Sequence, residues 1–131
     1  MLVRNTLIAL CWLALTAGAS AQTTVVTPDA IKVATMGSAW MLTGANGMTL
    51  YIETNDTDGK SMCNGACATN WPPLGPAAGA ASLGFFTIIT RDDGTKQWAY
   101  RGMPLYYWKN DKKPGDTTGE GVAGRWHVAA P

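Results

Sequence analysis

Gly47-Met48-Thr49-Leu50-Tyr51-Ile52-Glu53-Thr54-Asn55-Asp56 and Gly102-Met103-Pro104-Leu105-Tyr106-Tyr107-Trp108-Lys109-Asn110-Asp111 are two forms of one phrase. Gly, Met, Leu, Tyr, Asn and Asp coincide, and further along Trp71 coincides with Trp126. The offset is 55 residues throughout, without a gap. So constant an offset predicts two copies of one supersecondary unit, each too small to bury its apolar face alone. The chain therefore reads as one small domain of two packed half-units.

In the first copy, Met48 to Thr54 alternates as a strand does. Met48, Leu50 and Ile52 share one face, and Thr49, Tyr51 and Glu53 share the other. Gly44-Ala45-Asn46-Gly47 is a turn cluster, because Gly and Asn accept positive φ cheaply. Ile31 to Thr35 and Ala39 to Thr43 read as two earlier strands, broken by Met36-Gly37-Ser38. Met62 to Asn70 is short and Ala-rich enough for one or two helical turns, stopped by Trp71-Pro72-Pro73. In the second copy, Phe85 to Arg91 and Lys96 to Arg101 flank Asp92-Asp93-Gly94-Thr95 and predict a hairpin. Leu105 to Lys109 and Arg125 to Ala129 predict two more strands.

The expected fold is all-β or β-dominated. It is a small antiparallel-sheet domain of two repeats in a pseudo-two-fold relation, with one short helical turn near Cys63 and Cys67. Residues 31–131 form this single domain, with repeats at 39–74 and 94–131 and a Pro/Ala/Gly-rich linker at 75–84. Residues 22–30 read as a flexible leader. Residues 1–21 read as a cleaved export signal: Arg4 is the positive start, Leu7 to Leu15 the apolar run, and Ala19-Ser20-Ala21 the cleavage site. That run is too short to span a bilayer. Cys11 lies inside it next to Trp12, where a lipid-acceptor cysteine would not stand, so the expectation is a soluble periplasmic or secreted protein.

Losing Arg4 with the signal leaves equal numbers of acidic and basic side chains. Such a balance offers no footprint for a phosphate backbone, which argues against nucleic acid as partner. Cys63 and Cys67 then remain, and an even pair in an oxidising compartment most simply forms a disulfide. A regular helix would hold Cβ atoms four residues apart at roughly 5–6 Å, whereas a disulfide wants roughly 3.5–4.5 Å. Gly65 between them lets the loop tighten.

Several of these residues form motifs in a fixed order. Tyr106-Tyr107-Trp108-Lys109-Asn110-Asp111 gives tyrosine, any residue, an aromatic, two residues and aspartate. Cys63-Asn64-Gly65-Ala66-Cys67-Ala68 leads to Trp71-Pro72-Pro73-Leu74. Asp93-Gly94, Gln97-Trp98, Pro114-Gly115-Asp116, Gly119, Gly121 and Trp126 complete the set. From Ala39 onward the chain resembles the bacterial "secreted repeat of unknown function" family, whose members are often described as predicted lipoproteins. The resemblance implies export and a repeated unit, and it brings no reaction and no catalytic residues. Glu53 departs from it, standing where the first copy should carry an aromatic, and so does the missing acyl-acceptor cysteine.

Three constellations carry possible chemistry. Tyr51, Tyr106, Tyr107 and Trp108, with Trp40 and Trp98, offer an aromatic surface for a sugar, a small ligand or an envelope protein. Consecutive Tyr106, Tyr107 and Trp108 cannot all face one way in a strand. Cys63, Cys67, Met62 or Met103, and His127 are the donor types for a soft metal such as copper, or for thiol redox chemistry. Against that stand a structural disulfide and core-filling methionines. Asp56 and Asp111, as repeat equivalents, would form a hydrolytic carboxylate pair if the axis brought them together. Otherwise each binds backbone N–H groups of its own turn. No phosphate loop, nucleophile elbow or zinc motif is present, and the single His, with no partner near it in sequence, argues against a nucleophilic triad. The reading is a non-enzymatic binding module with no cofactor, the copper or thiol-redox protein being the alternative.

Overall fold

A computed structural model describes Gly18 and residues 24–131. Apart from Gly18, the expected export signal and its expected cleavage site lie outside the described residues. Strands β1 (Ile31–Met36) and β2 (Ala39–Gly44) form a hairpin, followed by β3 (Tyr51–Glu53) and helix α1 (Ala66–Asn70). Then come β4 (Phe86–Thr90), β5 (Lys96–Tyr100), β6 (Met103–Pro104), a 3-10 turn at Val122–Gly124, and β7 (Trp126–Val128). They pair antiparallel as β1-β2, β3-β7 and β4-β5-β6.

The hairpin at Asp92-Asp93-Gly94-Thr95 forms as its turn chemistry requires. Gly94 takes φ 82°, and the Asp93 carboxylate accepts the Thr95 N–H at 2.9 Å. Elsewhere the elements are shorter than the alternation suggests. Instead of a strand over Leu105 to Lys109 there is β6, and of Met48 to Thr54 only Tyr51–Glu53 is strand. The cause is that successive N–H groups serve different neighbours. Leu105 donates to Trp98, Tyr106 to Tyr51, and Tyr107 to Pro72, so no long ladder with one partner forms. The helix begins at Ala66, not Met62, because Gly65 takes φ 58°, outside the helical region.

The two-fold relation is visible in the backbone. Tyr51 N–H donates to the Tyr106 carbonyl at 2.8 Å, and Tyr106 N–H donates to the Tyr51 carbonyl at 3.0 Å. A residue that exchanges both bonds with its own repeat counterpart marks an axis passing between them. The bonds around that axis come in matching pairs. Ala129 N–H reaches the Leu50 carbonyl at 2.8 Å, and Leu74 N–H reaches that of Leu105 at 3.0 Å. Leu42 N–H reaches the Ala129 carbonyl, and Trp98 N–H that of Leu74, both at 2.8 Å. Tyr51 pairs with Val128 and Tyr106 with Pro73.

These pairs also show that the halves are interlocked. The closing segment of each copy bonds the central strand of the other. A half-unit alone would leave those backbone groups unpaired, which is costly when they are buried.

Alternation splits the interior into two cores. One holds Ile31, Leu42, Leu50, Leu74, Phe86, Trp98, Tyr100, Leu105 and Ala129. The other holds Tyr51, Cys63, Trp71, Tyr106 and Trp126. Leu50 and Leu105 enter the first and their neighbours Tyr51 and Tyr106 the second, because consecutive extended residues point to opposite sides. Residues 75–84 carry no strand beyond the Leu83 bridge to Phe86. No helix among the described residues is long and apolar enough to cross a membrane.

Candidate functional site

The second core is built from repeat pairs. Trp71 and Trp126 stack with centroids 3.8 Å apart and planes 2° from parallel. Tyr51 meets Trp71 edge-on at 5.4 Å, and Tyr106 meets Trp126 edge-on at 5.1 Å. The two edge-on pairs are a favoured aromatic arrangement. Trp108 then stacks on Trp71 at 4.0 Å. Trp71 thus carries a ring on each face. Where symmetry would place an aromatic on Trp126, the first copy has Glu53, paired with Trp126 in the β3-β7 ladder. The Arg125 Nε lies 3.1 Å from its carboxylate. Burial pushes the Glu53 carboxyl above its ordinary value, and neighbouring Asp56 adds to that.

The acids and tyrosines of the repeat are bonded crosswise. Tyr51 OH donates to Asp111 Oδ2 at 2.7 Å, and Tyr106 OH donates to Asp56 Oδ2 at 2.6 Å. Each acid also holds its own loop. Asp56 Oδ1 accepts the Met62 N–H at 2.7 Å. Asp111 Oδ1 accepts the Thr118 N–H at 3.0 Å and its hydroxyl at 2.6 Å. All four side chains are buried. Burial first, and then the acceptor carboxylate, holds both phenols well above their ordinary pKa. These charge-assisted bonds clamp one half to the other.

The Asp56 end carries a longer network. Arg91 donates to Ser61 Oγ at 3.0 Å and to Gln97 Oε1 at 2.7 Å. Ser61 Oγ lies 2.6 Å from Tyr106 OH. Since that phenol gives its one proton to Asp56, Ser61 donates to it. The chain runs Arg91, Ser61, Tyr106, Asp56, with a buried cation at one end and a buried anion at the other. Gln97 Nε2 passes on to the Leu105 carbonyl at 2.8 Å. The Tyr51 end has only the Gly119 N–H, 3.2 Å from the phenolic oxygen.

Several expected site residues take different places. Tyr51 and Tyr106 are 0% exposed, so they are core, not binding surface. Tyr107 and Trp108 are half-buried, Tyr107 against the first core and Trp108 against the second. Among the described residues the exposed aromatics are Trp40 and Phe85, each 60% exposed, the latter under the Arg101 guanidinium at 4.3 Å. Asp56 and Asp111 do not act as a pair, because each is committed to the opposite tyrosine. Cys63 and Cys67 form a disulfide with Cα atoms 5.2 Å apart. His127 Nδ1 lies 3.0 Å from Glu120 Oε1. Both sulfurs are therefore bonded to each other and the imidazole has a carboxylate partner, and no cluster of three or more His, Cys, Asp or Glu is found among the described residues.

Sequence reasoning missed Ser61, Arg91 and Gln97. A basic residue closing the aromatic strand Phe85 to Arg91 was the available signal, since a cation at such a place calls for buried partners.

A family model described as a secreted repeat of unknown function matches residues 32–75 and again 87–130. No curated protein and no solved structure matches the chain. The two matched stretches run from Lys32 in β1 to Gly75 and from Thr87 in β4 to Ala130, the same halves that the axis at Tyr51 and Tyr106 relates. With most of its length inside those two matches, the chain belongs to the family of secreted repeats of unknown function.

Proposed function

We propose that this is a non-enzymatic interaction module of the periplasm or the extracellular space, released after Ala21, that binds an envelope protein or small ligand through exposed aromatic side chains. The observation that carries this reading is Trp40. It stands 60% exposed near the turn of the β1-β2 hairpin, across from Thr35. Covering such a ring would contribute about 2 kcal/mol to a complex, and tryptophan is the residue type most often found at binding hot spots. The buried acids support the reading from the other side, since each is spent on a structural clamp.

The test places a photo-crosslinking phenylalanine derivative at position 40 in exporting cells, with the same residue at exposed Lys112 as control. A discrete adduct at position 40, lost on adding excess unlabelled protein and absent at 112, is the expected outcome. Equal, diffuse labelling at both positions would overturn the reading. So would turnover of any substrate that a single buried Asp→Asn change abolishes.

A further inference from the structure

We propose a property independent of that binding surface: the ring stack is a one-electron relay that carries oxidising equivalents from Trp108 at the surface to Tyr51 and Tyr106 inside. Four contacts make the path. Trp108 lies on Trp71 at 4.0 Å, Trp71 on Trp126 at 3.8 Å, Tyr51 on Trp71 at 5.4 Å, and Tyr106 on Trp126 at 5.1 Å. Trp108 is half-buried, while Trp71 and Trp126 are buried, so the indole at 108 is the ring of the stack that an oxidant can reach.

Both ends of the path are fitted for what oxidation of a phenol demands. A phenol that loses an electron becomes strongly acidic and must release its proton at once. Tyr51 has the Asp111 carboxylate at 2.7 Å and Tyr106 has the Asp56 carboxylate at 2.6 Å. The acids are buried and fixed by their loops, so each hydroxyl has a carboxylate in place to take its proton. Burial and the same acids keep both phenols protonated until they are oxidised.

The balance is as follows. An external one-electron oxidant, a diffusing radical or high-valent metal complex, takes one electron from Trp108 and is reduced by one. Trp71 refills Trp108, and Tyr51 refills Trp71 directly or Tyr106 does so through Trp126. The phenolic proton passes to the carboxylate, leaving a neutral tyrosyl radical and a carboxylic acid. An electron donor of the ascorbate class returns one electron, the carboxylic acid hands its proton back to the phenolic oxygen, and the donor's own proton goes to solvent. The tyrosyl radical is the more stable resting place at neutral pH, so the path runs inward.

Tris(bipyridine)ruthenium(III), generated by a flash, supplies the oxidant, and transient absorption with spin resonance reads the radicals on the mature chain. An indolyl signal should appear first and give way to a phenoxyl signal. Trp108→Phe should lose most of the phenoxyl signal, and Tyr107→Phe should leave it unchanged. Asp56→Asn together with Asp111→Asn should leave the indolyl signal standing. If those paired changes unfold the chain, the same hand-over in the parent protein, slowed in heavy water, makes the test alone. Phenoxyl without an indolyl precursor, an undiminished yield in Trp108→Phe, or no phenoxyl at all would overturn the relay. None of these results touches the crosslinking at Trp40.

Discussion

Tyr106→Phe removes one oxygen from the middle of the molecule, and its effect follows from the contacts that oxygen makes. The ring stays, so its edge contact with Trp126 at 5.1 Å is kept and no large cavity opens. What goes is the donor to Asp56 Oδ2 and the acceptor for Ser61 Oγ. Asp56 is left buried with the Met62 N–H on its other oxygen. A hydrogen bond to a charged group contributes about 1.5–3 kcal/mol, and leaving such a group unsatisfied costs at least as much. The expected loss is about 2–3 kcal/mol. In a domain of this size that lowers Tm by roughly 10–20 °C and moves the urea midpoint down by about 1–2 M. Tyr51→Phe should destabilise less, because Asp111 keeps two donors from Thr118. Urea unfolding followed by tryptophan fluorescence measures both, with m unchanged if only stability is altered. Adding Asp56→Asn to Tyr106→Phe removes the stranded charge, so the double-mutant cycle should show a coupling of about 1 kcal/mol or more. A loss below about 0.5 kcal/mol for Tyr106→Phe, strict additivity in the cycle, or a greater loss from Tyr51→Phe would refute the clamp.

Gly119→Ala should destabilise by about 1–3 kcal/mol, since a Cβ there would lie 2.9 Å from both the Trp71 and the Tyr51 rings; a thermal melt reads it. Replacing Cys63 and Cys67 together with Ser should cost about 2 kcal/mol, the chain-entropy value for so short a loop, measured as the difference between oxidised parent and variant in urea. Glu53→Gln should change the pH profile of stability. Burial raises the folded pKa of Glu53 above its ordinary carboxyl value, so its stabilising contribution is full below that ordinary value and is lost as pH rises through the higher folded one. Over that window the parent should lose stability relative to Glu53→Gln, and parallel profiles would show that Glu53 does not titrate there.

The repeat was legible because it rests on identity at fixed spacing, which needs no knowledge of what touches what. From it followed one small domain of two packed half-units. The strand faces of Leu50 against Tyr51, and of Leu105 against Tyr106, were legible too, because alternation alone sets them. Burial was harder. Tyr51 and Tyr106 read equally well as surface or core until the axis placed them against each other, and only a long-range bond between copies makes that choice. The same holds for Asp56 and Asp111. Their equivalence was plain, but an axis can set equivalent groups together or hand each to the other's neighbour, and sequence does not separate the two. Arg91, Ser61 and Gln97 were not legible as a set, since side chains 30 residues apart met only through the hairpin that carries two of them.

The places where the two copies disagree bear more on function than those where they agree. The crossed tyrosine–aspartate bonds, the Trp71–Trp126 stack and the paired closing segments are common to both halves, and each has a sufficient explanation in holding the halves together. Three features belong to one side only: the disulfide at Cys63 and Cys67, the Arg91 network at Tyr106, and the exchange of an aromatic for Glu53. The last sets a direction. Had both copies kept the aromatic, four rings would stack with alike ends. Instead one end of the stack is the half-buried Trp108, and at the other Trp126 is paired in the ladder with Glu53, which is bonded to Arg125. A symmetric clamp needs no such difference, whereas a path with one entrance does. The asymmetry therefore favours Trp108 as the one ring of the stack open to chemistry.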